Sequence, residues 1–99
     1  MIILLSDKMR AQTWTVTDSV KREGSLRYDT VQLEFTGAQL EAYANVLVSG
    51  VGEPWKELGV NSPASRLVDR ANQVLRKAGY IHYLGNLGGR GRWGAGPKP

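Results

Sequence analysis

The stretch from Ser62 to Gly79, SPASRLVDRANQVLRKAG, constrains this chain more than any other. At 100° per residue, Leu67, Val68, Ala71, Val74, Leu75 and Ala78 fall within one arc of about 120°, so a helix here has a single face to bury. Ser62 stands where an N-cap is needed, Pro63 at the first helical position, and Gly79 where a left-handed stop ends the element. The spacing predicts a helix over residues 62–79. Arg66, Arg70, Gln73 and Lys77 fall on a second line, roughly 130° from the centre of the apolar arc. One face is core, a basic stripe points outward, and the remaining chain supports that helix.

Upstream, Thr36 and Gln39 have the spacing of a capping box, with Phe35 and Leu40 placed as a hydrophobic staple around it. Leu40, Tyr43, Ala44, Leu47 and Val48 repeat at helical spacing until Ser49-Gly50, which predicts a helix over about 37–49. GEPWKELG reads as a short helix with Pro54 near its start, Gly59 as its stop, and Trp55 and Leu58 turned to the core. In residues 12–35, Trp14 and Val16 share one face and Val31, Leu33 and Phe35 share another, with Glu23-Gly24-Ser25 as a turn signal. A hairpin is the expected form, with a helical turn over Asp18–Arg22 as the alternative. After Gly79, Tyr80–Leu84 is β-prone, and a glycine-rich loop, GNLGGRG, separates it from a short return strand at Arg92-Trp93. GAGPKP is expected to be a disordered tail.

The chain of 99 residues suffices for one domain with its own core, and an apolar fraction of 41% is ordinary for a globular protein. Without cysteine there is no disulfide, thiolate nucleophile or thiolate metal site, which fits a reducing, cytoplasmic setting. The opening MIILLS is too short for a signal peptide or a membrane span; it reads as an edge strand or a leader, with Met9 as an alternative start. The net charge of +4 is unevenly spread: residues 60–99 carry a balance of +6 and residues 1–59 a balance of −2. Such asymmetry is the footprint of a half that binds a polyanion, or else a basic tail left to solvent.

Helix, short helix, turn, longer helix and basic-tipped hairpin follow one another in WKELGVNSPASR and LRKAGYIHYLGNLGGRGRW. This order resembles the winged helix-turn-helix, and LRKAGYI looks like the join between long helix and first wing strand in winged-helix proteins of bacteria and their phages. The resemblance covers about residues 36–95. It implies an α+β fold with three helices and a β-hairpin wing, preceded by an N-terminal β-hairpin extension over residues 1–35 and followed by a tail over 96–99. Three departures stand out: the N-terminal hairpin lies outside the family's core, no strand is evident in VGEP, and the long helix is about a turn longer than usual.

By position, the resemblance makes Asn61, Ser62, Ser65, Arg66, Asp69, Arg70, Gln73 and Lys77 the candidates for contact with duplex DNA in the major groove. Arg66 and Arg70 suit guanine or phosphate, and Gln73 suits adenine. Asn61 and Ser62 sit where helix amides favour a phosphate. Arg90 and Arg92 occupy the expected wing tip, where arginine suits a narrow minor groove. The bland alternative is a solvent-facing helix whose Arg66 and Asp69 pair at i, i+3. Trp93 is expected to pack beneath the wing. The GxGxxG match at Gly89–Gly94 does not open a helix in a βαβ unit and is set aside as a dinucleotide site.

Catalysis finds no constellation: His82 is the single histidine, mid-strand with no acid near in sequence, and neither a cofactor nor a metal is expected. Asp18, Glu23 and Asp29 read as solvated loop charges. The leading expectation is a small transcriptional regulator, of phage or mobile-element type, binding double-stranded DNA. The N-terminal hairpin could then serve as a homodimer interface. The competing expectation is an interaction module or inhibitor whose basic face docks on an acidic protein partner, with no membrane role in either case. RNA binding through the Gly/Arg wing is a third and weaker reading.

Overall fold

Thr36 converts a strand into a helix, and the architecture hangs on that junction. A computed structural model describes residues 2–87 and 90–97. It is a small α+β protein, with three α-helices, one 3-10 helix and two antiparallel β-hairpins among the described residues. Thr36 ends β2 (Tyr28–Thr36) and caps α2 (Gly37–Ser49). Its Oγ1 accepts from the Gln39 amide at 3.2 Å, and Gln39 Oε1 accepts from the Thr36 amide at 2.9 Å, so both halves of the capping box form. Gly50 closes α2 at φ 71°, a left-handed conformation that glycine adopts without a Cβ penalty.

β1 (Thr13–Lys21) pairs with β2 in unbroken register from Thr13↔Thr36 to Lys21↔Tyr28. The hairpin forms, and Asp18–Lys21 are strand rather than a helical turn. Trp14 lies opposite Phe35, Val16 opposite Leu33 and Asp18 opposite Val31. The two apolar sets expected on separate faces therefore share one. Trp14 stacks on Phe35 with ring centroids 5.5 Å apart, and Phe35 is fully buried.

The opening residues are neither an edge strand nor a loose leader. Ile3 and Leu5, 5% and 2% exposed, enter the core as a strap along α2. Asn45 clamps Ile3 from both sides, accepting its amide at 2.6 Å and donating to its carbonyl at 3.0 Å. Glu41 accepts from the Leu5 amide at 2.9 Å. A short helix, α1 (Asp7–Arg10), capped by Ser6, then leads into β1. Gly37 makes that turn possible, because its amide donates to Gln12 and a Cβ there would collide with the Met9 and Arg10 backbone.

The 3-10 helix Pro54–Leu58 follows α2 and ends at Gly59, with Leu58 buried and Trp55 half-buried. α3 runs from Arg66 to Lys77, 12 residues, shorter at both ends than the 62–79 expected. Its N-cap is Ser65, whose hydroxyl accepts from the Leu67 amide at 3.2 Å. Ser62 and Pro63 belong to a preceding turn, in which the Ser62 hydroxyl accepts from the Ala64 amide at 3.1 Å. Two Ser residues three apart both fit a cap by type. The second wins because α3 then begins directly at its buried residues, Leu67 and Val68. At the other end Tyr80 donates to Leu75 and Gly79 to Arg76, the paired bonds of a Schellman motif.

β3 (Ile81–Leu87) and β4 (Arg90–Ala95) form the second hairpin, with a register shift between Tyr83 and Gly85. Most of the glycine-rich segment expected as a loop is paired strand: Gly85 faces Arg92, Asn86 faces Gly91 and Leu87 faces Arg90. Gly88, Gly89, Lys98 and Pro99, and with them the end of the expected disordered tail, lie outside the described residues. The beginning of that tail is tied down, since Gly96 donates to Tyr80 and its carbonyl lies 2.7 Å from His82 Nδ1.

One buried cluster unites these elements: Ile3, Leu5, Phe35, Leu40, Tyr43, Ala44, Leu58, Leu67, Val68, Ala71, Leu75 and Ile81. Its members come from the first 35 residues as well as from the helices. Burying a leucine or phenylalanine this completely contributes about 2 kcal/mol. Tyr43 is the one polar-tipped member, and its hydroxyl donates to Asn72 Oδ1 on the flank of α3. That bond ties α2 to α3 beside the buried face of Leu67, Val68, Ala71 and Leu75.

A candidate polyanion-binding face on α3

α3 buries Leu67, Val68, Ala71 and Leu75 and leaves Arg66, Asp69, Arg70, Gln73, Arg76 and Lys77 in solvent. The two hairpins stand on either side of that outer face. On one flank, β1 passes alongside, and Thr15 and Val16 line a shallow groove with Arg66, Asp69, Arg70, Gln73 and Arg76. Farther along this flank, Trp14 and Gln12 lie beside Gln73, Val74 and Lys77. On the other flank, the Arg76 guanidinium sits 5.6 Å from the ring centre of Trp93 on β4, a cation–π distance. Arg76 Nε also donates to the Asn72 carbonyl, at the long distance of 3.4 Å.

The sequence-derived candidates divide into three groups. Arg66, Asp69, Arg70 and Gln73 come together in the groove beside β1, and Lys77 continues the row toward the end of α3. Arg70 donates to Gln73 Oε1 at 2.7 Å, which holds both side chains along the face. Ser65 and Ser62 are engaged otherwise: their hydroxyls satisfy backbone amides, so neither is an open hydroxyl at a helix end. Asn61 is exposed in the turn before α3. Arg92 is exposed on β4, remote in sequence from α3 but on the hairpin that Arg76 leans toward. Arg90 enters β4 by its backbone, and its side chain lies outside the described residues.

Three members of the face escaped the sequence reading. Arg76 lies off the Arg66–Arg70–Gln73–Lys77 line yet reaches the same groove, because the exposed arc of α3 is wider than one stripe. A count of all solvent-side positions of the helix would have found it. Thr15 and Asp18 come from the N-terminal hairpin, and nothing local marks them. Asp18 was read as a solvated loop charge, but it lies within β1, half-buried, and pairs with Arg66 at 3.5 Å. That pair replaces the Arg66–Asp69 contact expected at i, i+3. Among the described residues, Arg70, Arg76, Lys77 and Arg92 have no carboxylate within 4.0 Å.

Trp93 is half-buried and meets Tyr83 edge-on at 5.3 Å between centroids, packed within the second hairpin. His82 is also half-buried, its Nδ1 facing the Gly96 carbonyl. Among the described residues, no group of three His, Cys, Asp or Glu is placed to hold a metal ion. No helix among them is long and apolar enough to cross a membrane. Comparison with protein-family models, with curated proteins and with solved structures finds no match to this chain.

Proposed function

We infer that the chain is a winged helix-turn-helix protein that binds double-stranded DNA as a small regulator of transcription. In this reading α3 enters the major groove and the β3–β4 hairpin is the wing on the adjacent groove. One observation carries the inference. The outer face of α3 gathers Arg66, Arg70, Gln73 and Arg76 into one groove, with Lys77 beside them and two acids, Asp69 on α3 itself and Asp18 of β1 paired with Arg66. Support also comes from the order of α2, the 3-10 helix, α3 and the second hairpin, and from an α3 of ordinary recognition-helix length once Ser62–Ser65 are removed from it.

The chemistry divides within the face. Arg70 and Gln73, held together by their own hydrogen bond, present donors to base edges, and Asp69 can accept from a cytosine amino group. Arg76, Lys77 and Arg92 carry charge toward phosphates on the two flanks. The protein acts by binding, with no covalent step.

The test is a titration of mixed-sequence duplex across a salt series, with fluorescence anisotropy as readout. If three to five cations meet phosphates, log K should fall with log salt at a slope of about −3 to −4.5. Reversing Arg66 and Arg70 to Glu should abolish binding while circular dichroism stays native. Absence of binding to duplex at low salt, with a stoichiometric acidic protein co-purifying instead, would refute the DNA reading.

A further inference from the structure

The N-terminal hairpin is longer than its role in the core requires. Its base is packed, through Trp14, Val16, Leu33 and Phe35. From Ser19 to Thr30 every residue but Ser25 is exposed, so the outer half is a two-stranded ribbon standing in solvent. Such a ribbon is marginally stable by itself and gains nothing from the core. Its course is set by its neighbours along α3. Trp14 lies beside Val74 and Lys77 near the C-terminal end, Thr15 and Val16 beside the middle, and Asp18 meets Arg66 at the N-terminal end. β1 therefore runs antiparallel to α3. Beyond Asp18 it continues for roughly 10 Å at 3.4 Å per residue, and then turns.

The turn overhangs the end of α3 that leads into the major groove in the reading above. Its composition is unlike a plain solvated loop. Lys21, Arg22 and Arg27 are all exposed around it, with Glu23 and Asp29 as its acids. Arg22 donates its amide to the Arg27 carbonyl at 3.0 Å, which closes the turn and sets the two arginines side by side. Between them, Gly24 takes φ 74° and Leu26 projects with 90% of its surface exposed, more than any other large apolar residue described. An apolar wedge flanked by cations at the tip of a narrow ribbon is a device that enters the minor groove, parts a base step and bends the duplex. Charge complementarity selects DNA over a second copy of the chain, because two such tips would bring their cations together.

We propose that the β1–β2 ribbon is a second DNA-contacting arm. Lys21, Arg22 and Arg27 hold the phosphates beside the α3 site, and Leu26 wedges between base pairs and bends the duplex. The arm rests on the DNA reading of α3 and extends it, giving the protein one hairpin on each side of the helix.

The experiment uses the full chain and a mixed-sequence duplex of about 30 base pairs with a donor and an acceptor dye at its ends, which reports bending by energy transfer. Wild type should bind and raise the transfer. Arg22→Gln with Arg27→Gln should weaken binding by 10-fold or more at about 0.1 M salt and make the salt slope shallower by about 2. Leu26→Ser should bind with an unchanged slope but lose the rise in transfer. If both variants bind and bend duplex as wild type does, while Arg66→Glu with Arg70→Glu abolishes binding, the arm proposal fails and the α3 reading stands. If wild type binds no duplex at low salt, both fail. A wild-type dimer in sedimentation that Leu26→Ser converts to monomer would also overturn the proposal, since the ribbon would then join copies of the chain.

Discussion

The bond between Tyr43 and Asn72 links α2 to α3, and it should reveal itself in alkali. Tyr43 is 1% exposed, and burial pushes its phenol well above the ordinary value near 10, with the charge of Asp69 adding to the shift. The native state thus keeps a proton that the unfolded chain loses above about pH 10. Stability from this group is fully present below that pH and falls as pH rises, by about 1.4 kcal/mol per unit. By pH 11.5 the loss should reach about 2 kcal/mol. Tyr43→Phe removes the titration and the hydrogen bond together. At neutral pH it should cost about 1 kcal/mol, the usual worth of such a bond when the partner, here a half-buried Asn72, regains water. The two stability curves should therefore cross between about pH 10.5 and 11, the variant being the more stable above the crossing. Urea denaturation at stepped pH, followed by fluorescence of the three tryptophans, measures both curves. Parallel curves that never converge would show that Tyr43 does not ionise on unfolding as its burial demands.

Two further outcomes follow from the geometry. Ser65→Ala should destabilise the protein by about 1 kcal/mol while Ser62→Ala costs a few tenths, since only Ser65 caps α3; equal effects in denaturant titrations would move the helix start back to Ser62. Asp18→Asn should free Arg66, raise duplex affinity a few-fold and steepen the salt slope by up to about 0.9, with stability changed by less than about 0.5 kcal/mol because the Arg66 partner is exposed to solvent. Weaker binding by this variant would mean that Asp18 holds Arg66 in its binding pose.

Elements whose signals are local were legible in the chain. The capping box at Thr36, the stop at Gly50, the apolar repeat of α2, and the Pro54 start and Gly59 stop all act within one turn of themselves, so sequence spacing is sufficient. The basic stripe was legible for the same reason, since Arg66, Arg70, Gln73 and Lys77 share a line on any helix. The start of α3 was not, because Ser62 and Ser65 are equally good caps by type and the burial of Leu67 and Val68 decides between them. The glycine-rich segment read as a loop because glycine weakens strands. Cross-strand pairing from Gly85 to Leu87 overrides that preference once Arg90–Arg92 lie opposite.

The sequence by itself determined the two main helices, the turn at Gly24 and the concentration of positive charge in residues 60–99. Only the tertiary structure decided what surrounds α3. It brought Ile3 and Leu5 onto α2 through Asn45 and Glu41, residues some forty positions away. It also laid β1 along α3 so that Asp18 meets Arg66, and leaned Arg76 onto Trp93. These are contacts between elements, set by how one shared core packs, and no periodicity within either partner encodes them. The helix at Ser65 owes its shape to its own residues, and its candidate site to the two hairpins that the core places beside it.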